Sequence, residues 1–245
     1  MQMPLKAVTF DFHNTIAECD DWFQLEVREL VPCFLDWLAK HDGSPVTQEE
    51  RDAAVLHYRA LRVEIMDHGV ERDAYDCTHD VLGLLGRSVD PAIVRRGVDE
   101  VMRAALPGST PVSGVVATVR DLCANGIELA VVSSAVHHDF LDWSLAKFGI
   151  EDCFSHVVTS ASCGFYKSRT EIYEHTHERL NVTAAETVHV GDSHRYDVET
   201  ATRAGMRTVW FAREYREGDA TAAGLTVTTL EGLAPLILDR FGTDG

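Results

Sequence analysis

The chain is short of three things, and each shortage narrows what it can do. It has no cysteine pair spaced as CxxC, because its six cysteines stand apart at 19, 33, 77, 123, 153 and 163. Zinc-ribbon and thioredoxin-like readings therefore fail, and scattered thiols in a chain of 245 residues fit a reducing, cytoplasmic compartment. It has no apolar run near the ~20 residues that cross a bilayer, and its N-terminus carries no signal-peptide pattern, so no membrane partner is expected. Basic residues are scarce as well: 22 Lys and Arg face 39 Asp and Glu, a formal charge of −17. Such a surface repels nucleic acid, which is not expected as a partner. It also repels anionic substrates at long range, so a phosphate site would need a metal ion or local cations.

What is present is an ordinary globular composition, 45% apolar and 25% charged, with enough length for a sizeable core. Val8, Thr9 and Phe10 suit a buried strand, and Asp11 ends that run in a polar turn from Phe12 to Thr15. From 18 to 106 the signals are helical. Phe23, Val27, Leu30, Phe34 and Leu38 recur at the helical period, with Pro32 expected to kink the segment. Thr47 and Glu50 form a capping-box pattern before a helix from Gln48 to about Met66. A third helix is expected from about Arg72 to Leu85, and Asp90-Pro91 opens a fourth. After Pro107, Gly108 and Pro111, strands alternate with helices. The strands are Glu128–Val132, His156–Thr159, Thr187–Val190 and Arg207–Phe211, and helices near 112–124, 138–148, 170–180, 197–204 and 230–241 separate or follow them. This alternation predicts an α/β fold, a Rossmann-like parallel sheet core. The expected division is a core of residues 1–17 and 107–245, with an α-helical block of residues 18–106 inserted after the first strand.

Four polar sites then follow four predicted strands: Asp11 with His13, Ser133, Lys167 and Asp192. Parallel strands bring these ends to one edge of the sheet, where open α/β sheets bind ligands. Two carboxylates can hold Mg2+, which pairs with substrate phosphate, and Ser133 and Lys167 offer donors to phosphoryl oxygens. Asp11 is placed to attack phosphorus, a known role for aspartate.

The set resembles the haloacid dehalogenase superfamily, whose members are mostly phosphatases. The first motif, Asp-x-Asp-x-Thr or Val, is matched by Asp11-Phe12-His13-Asn14-Thr15. The second, a strand ending in Ser or Thr, is matched by Val131-Val132-Ser133, and the third by Lys167, followed by Ser168 where Pro is common. The fourth, Gly-Asp-x-x-x-x-Asp, is matched by Gly191-Asp192 through Asp197. The block at 18–106 looks like the family's inserted α-helical cap. The resemblance implies that Asp11 is nucleophile and metal ligand, with the residue 13 backbone carbonyl, Asp192 and Asp197 completing or supporting a Mg2+ site. It implies that Ser133 and Lys167 hold the phosphoryl group of a small phosphorylated substrate. The departure is His13, where phosphatases of the family usually carry a second Asp as general acid and base. Imidazole, with a pKa near ~6.5, can do that work; alternatively only the backbone at 13 matters.

The implied function is a Mg2+-dependent phosphomonoester hydrolase working through an aspartyl-phosphate. The alternatives are a 2-haloacid dehalogenase-like hydrolase, which needs no metal, and a non-catalytic phosphate-binding relative. Dehalogenases usually carry Ser-Asn where this chain has Gly191-Asp192. Among other features, His137-His138 and His175-x-His177 are not expected to bind metal, because adjacent or alternate positions do not face one another on a helix. His137 follows Ser133 closely enough for contact with substrate to be possible. Trp22, Phe23, Trp37 and Tyr58 read as core of the helical block, and Glu71, Asp73, Asp76 and Asp80 as a solvated face.

Overall fold

The four residues of β1, Ala7–Phe10, are all buried, as a strand covered on both faces of a parallel sheet requires. This strand is the middle of the architecture in the computed structural model, which describes residues 3–213 and 222–242. After β1 come β2 (Ala17–Glu18), α1 (Asp20–Gln24), a π-helical turn at Leu25–Glu29, α2 (Leu30–Asp42), α3 (Gln48–His68), α4 (Ala74–Leu84) and α5 (Pro91–Ala105). The chain returns through β3 (Thr110–Pro111), α6 (Val115–Ala124), β4 (Glu128–Ser133), α7 (His138–Phe148), β5 (His156–Thr159), α8 (Ser160–Cys163) and α9 (Glu171–Leu180). It finishes with β6 (Thr187–Gly191), α10 (Ala201–Arg203), β7 (Arg207–Phe211), β8 (Leu225–Val227) and α11 (Leu233–Phe241). The main sheet has six strands in the order β5-β4-β1-β6-β7-β8, all pairs parallel. The expected α/β sheet with surrounding helices is what the chain builds.

Several local expectations need correcting. A sixth strand, β8, joins β7 at the sheet edge; with three half-buried residues it is too short to show a period in sequence. A two-stranded antiparallel ribbon, β2 with β3, stands where the chain leaves the sheet and returns to it. The irregularity expected at Pro32 falls one turn earlier, as the π-helical turn Leu25–Glu29. Pro32 cannot donate to the turn before it, and a wider turn absorbs the mismatch. The helix expected at 197–204 begins already at His194, and its first seven residues are π-helical. Only half of the capping box at Thr47 forms: its hydroxyl accepts from the Glu50 N–H, while the Glu50 carboxylate binds Arg87.

The helical block packs on itself through Phe34, Leu35, Tyr58, Val81 and Val98, all fully buried, whereas Trp22 packs outward from it, stacked on Phe140 and edge-on to Phe12. Trp37 is partly buried, whereas Phe23 is 39% exposed and so is not core. Glu71 is not part of a solvated face either. It is 6% exposed and receives both guanidinium arms of buried Arg62, at 2.5 and 3.1 Å, plus the Ser160 hydroxyl at 2.8 Å. A nearby arginine reversed the expectation, because a paired carboxylate can be buried where a lone one cannot. Of the same group, Asp73 caps α4 by accepting the Asp76 N–H, and Asp80 pairs with Arg72.

Candidate active site

Asp11 extends β1 by one hydrogen bond, its N–H donating to the Val190 carbonyl at 2.8 Å. The chain then curls tightly. The Phe12 carbonyl accepts from the N–H groups of Thr15, Ile16 and Ala17, and Asn14 takes a left-handed conformation with φ 62°. Asparagine tolerates that region better than most residues, so the polar run suits the turn it makes. The turn leaves the Asp11 carboxylate at the carboxyl end of the sheet. Lys167 reaches it from the loop after α8, with Nζ 2.7 Å from Asp11 Oδ1 and paired as well with Asp197 Oδ1. The same loop is held to the end of β4, because the Lys167 N–H donates to Ser134 Oγ at 3.0 Å. Ser134 thus has a positional use that its sequence context did not reveal.

Asp197 is fully buried at the start of the wide turn after β6. Its Oδ2 accepts the Ser193 N–H at 2.8 Å, and its Oδ1 lies 3.2 Å from His189 Nε2. The carboxylate folds back over Gly191, where an added Cβ would fall 2.2 Å from its Cγ, so residue 191 must be glycine. One oxygen each of Asp11, Asp192 and Asp197 lie within 4.8 Å of one another. Asp192 also lines a cavity of about 570 Å³ with Asn14, Trp210 and Arg213. A cavity of about 670 Å³ between the first helices and α5 holds none of these residues.

Among the sequence-derived residues, the structure brings Asp11, Lys167, Asp192 and Asp197 into one cluster. Ser133 lies buried at the end of β4 on the same sheet edge, opposite Thr159 of β5. The His13 imidazole turns toward the helical block, stacked on Phe23 with centroids 4.4 Å apart and planes at 10°. Its Nε2 stands 3.5 Å from Asp20 Oδ1, an ion-pair distance without hydrogen-bond geometry. His137 is taken up elsewhere: it is 1% exposed, accepts the Phe140 N–H on Nδ1 and meets Asp99 through Nε2 at 3.0 Å. His138 meets Thr159 and Asp142 instead, so the two histidines share no site.

The sequence pattern of the haloacid dehalogenase-like hydrolases matches residues 8–211. The chain belongs to this family. A glyceraldehyde 3-phosphate phosphatase of Pyrococcus abyssi is 36% identical to it over 208 residues, 84% of this chain and 81% of that protein. An (S)-2-haloacid dehalogenase of Pseudomonas sp. strain YL is 25% identical over 216 residues, covering 85% and 80%. Among solved structures, a HAD phosphatase from Thermococcus onnurineus superposes with a TM-score of 0.63 at 25% identity, covering 95% of this chain and 98% of that one.

In this hydrolase the charges of the cluster are unevenly satisfied. Burial opposes the charge on Lys167, yet Asp11 and Asp197 outweigh it and hold the ammonium well above the usual lysine range. Burial likewise opposes the charge on Asp197, but Lys167 and His189 hold its carboxyl at about 2. Asp11 is pushed up by burial and by Asp197, against Lys167. Asp192 is pushed up to about 8, first by burial and then by Asp11 and Asp197. Burial pushes His13 down from its ordinary value, opposed by Asp11 and Asp20. His189 and Thr9, on the buried side of the cluster, were not among the sequence-derived residues. Their one signal is a histidine inside the otherwise apolar run of β6, Thr187-Val188-His189-Val190.

Proposed function

We propose that this hydrolase is a Mg2+-dependent phosphomonoester phosphatase acting on a small metabolite in the cytoplasm. The observation that carries the reading is the imbalance at the sheet edge, three converging carboxylates against one buried ammonium. The donor set fits the ion, since Mg2+ prefers carboxylate oxygens and retains several waters. Asp192, pushed up to about 8 and bordering a cavity, is the carboxylate most in need of a cation. Asp11, Asp192, the His13 backbone carbonyl and, directly or through water, Asp197 would hold it. Bound there, Mg2+ supplies positive charge opposite the phosphoryl oxygens.

The rest of the reaction belongs to the chain. An Asp11 oxygen attacks phosphorus as the ester P–O bond breaks, giving an aspartyl-phosphate and an alkoxide that must take a proton. Lys167, held charged, stabilises the transferring phosphoryl oxygens, and Ser133 at the same edge donates to them. The His13 imidazolium gives the leaving oxygen its proton. As neutral imidazole it then takes a proton from the water that cleaves the aspartyl-phosphate, releasing phosphate and restoring Asp11.

Residues 18–106 act as a cap over this edge. Two contacts support that role: Phe23 covers His13, and the Glu26 carboxylate accepts the Val136 N–H of the loop after β4 at 2.9 Å. The phosphatase reading is preferred to the dehalogenase one because a metal-free site for a carboxylate substrate has no use for acidic Asp192. The relatives named glyceraldehyde 3-phosphate phosphatase make a triose phosphate the first ester to assay. The test is a panel of phosphate esters and 2-chloropropionate, with Mg2+ and with chelator. Phosphate release that stops on chelation supports the proposal. Chloride release that survives chelation, without phosphatase activity, replaces it with the dehalogenase reading.

A further inference from the structure

His189 lies at 0% exposure in the middle of β6, directly across from Thr9 of β1. A polar ring in a sheet interior costs free energy unless both nitrogens are paired, and here both are. Thr9 Oγ1 stands 2.8 Å from Nδ1, and Nε2 stands 3.2 Å from Asp197 Oδ1. An ionised carboxylate only accepts, so the proton between His189 and Asp197 is on Nε2, and Nδ1 of the neutral ring accepts the Thr9 hydroxyl. Tyr173 closes the remaining side. Its ring meets the imidazole edge-on at 5.1 Å, and its hydroxyl donates to the carbonyl of Tyr196, the residue before Asp197.

We propose that His189 is a positioning residue which, oriented by Thr9, fixes the Asp197 carboxylate so that Lys167 Nζ is delivered to Asp11 and the phosphoryl site. The inference rests on the role given to Lys167 above. A carboxylate rotates about its last bond, and a lysine stem is flexible at each of its carbons. Asp197 is pinned at Oδ2 by the Ser193 N–H and at Oδ1 by the His189 N–H. Two donors on opposite oxygens fix the plane, and Lys167 then docks on a stationary acceptor. A catalytic group must be held within about 0.5 Å of its productive place, and that tolerance asks for such support. Removing His189 leaves the Ser193 N–H as the one remaining pin besides Lys167 itself.

The test compares His189→Leu, His189→Gln and Thr9→Val by steady-state kinetics on p-nitrophenyl phosphate with Mg2+, alongside melting temperatures. His189→Leu removes the donor and should lower kcat by roughly 10–100-fold, with KM changed by less than about threefold, because misplacement acts mainly in the transition state. Glutamine can place an N–H where Nε2 was, so His189→Gln should recover most of that loss, and Thr9→Val should fall between the two. A His189→Leu enzyme with wild-type kcat would overturn the proposal. So would equal losses in the Leu and Gln variants that track their melting temperatures, since that is a packing role. Histidine-15N NMR gives an answer that needs no turnover: His189 should show the Nε2–H tautomer, with a proton signal that moves in Asp197→Asn. An Nδ1–H tautomer, or a signal indifferent to Asp197, overturns the inference. A wild type inactive on every phosphate ester would instead refute the phosphatase reading.

Discussion

The protein buries two clusters of acid and base, and they handle the same excess differently. At the sheet edge, Asp11, Asp192 and Asp197 share Lys167. Between the helical block and the sheet, Glu26 and Glu71 share Arg62, which pairs directly with Glu71. Each cluster has more carboxylates than cations, and in each the surplus carboxyl is pushed up to about 8, chiefly by burial. The clusters differ in access. Glu26 is 3% exposed and faces the Val136 N–H, so its surplus is relieved by holding a proton. Asp192 borders a cavity of about 570 Å³, so its surplus can be relieved by a cation arriving from solvent. Charge imbalance alone therefore does not tell the two clusters apart; access for a ligand does.

The comparison breaks most sharply at Asp11. Asp11→Asn keeps the side-chain shape but removes the nucleophile, and it should abolish phosphate release while circular dichroism stays native. Residual turnover in a clean preparation would take Asp11 out of that role. His13→Ala comes next, with a loss of roughly 10²–10⁴-fold on alkyl phosphates, whose leaving group needs a proton. Aryl phosphates need little protonation and should lose far less in the bond-breaking step, read in burst kinetics, and His13→Asp should recover alkyl turnover. Equal small losses on both substrates would leave only the backbone at 13 with a role.

Arg62→Met tests the other cluster. It leaves Glu71 and Glu26 without their cation and should cost about 3–5 kcal/mol of stability by denaturant titration, with kcat per folded molecule unchanged. The smallest and most discriminating effect is in pH. Asp192 and Glu26 have native pKa values of about 8, above their unfolded ones. Between about pH 4 and about pH 8 these two carboxyls hold protons in the native chain that the unfolded chain has released, so their share of the stability falls as pH rises through that window. His13, His177 and His189, pushed down by burial, contribute the opposite slope below about pH 6.5. Mg2+ at 100 times its dissociation constant adds about 2.7 kcal/mol, a rise in melting temperature of roughly 5–10 °C. It should flatten the Asp192 share of the pH slope and leave the Glu26 share, which Glu26→Gln should remove. A slope untouched by Mg2+ would mean that Asp192 does not meet the ion.

Much of the fold was legible because its signals are local. The buried run Ala7–Phe10 and the Asp90-Pro91 helix start each act over a few residues. The cluster Asp11, Lys167, Asp192 and Asp197 was legible because parallel strands send their ends to one edge. What could not be read depends on partners far away in sequence. Glu71 looked solvated until Arg62 and Ser160 were seen to enclose it, and the place of His189 within β6 has a use only once Thr9 and Asp197 are seen on either side.

By itself, then, the sequence determined the alternation of strand and helix, the run of helices that follows the first strand, and the order in which acid, hydroxyl, amine and acid reach the sheet edge. These follow from periodicity and strand direction, which are properties of short segments and their order. Only the tertiary structure decided which carboxylate keeps its charge, which one is pushed up to about 8, and that the His13 ring lies against Phe23. The physical reason is that desolvation and Coulomb energy depend on distances in space. Lys167 and Asp11 stand 156 residues apart in the chain and 2.7 Å apart in the fold.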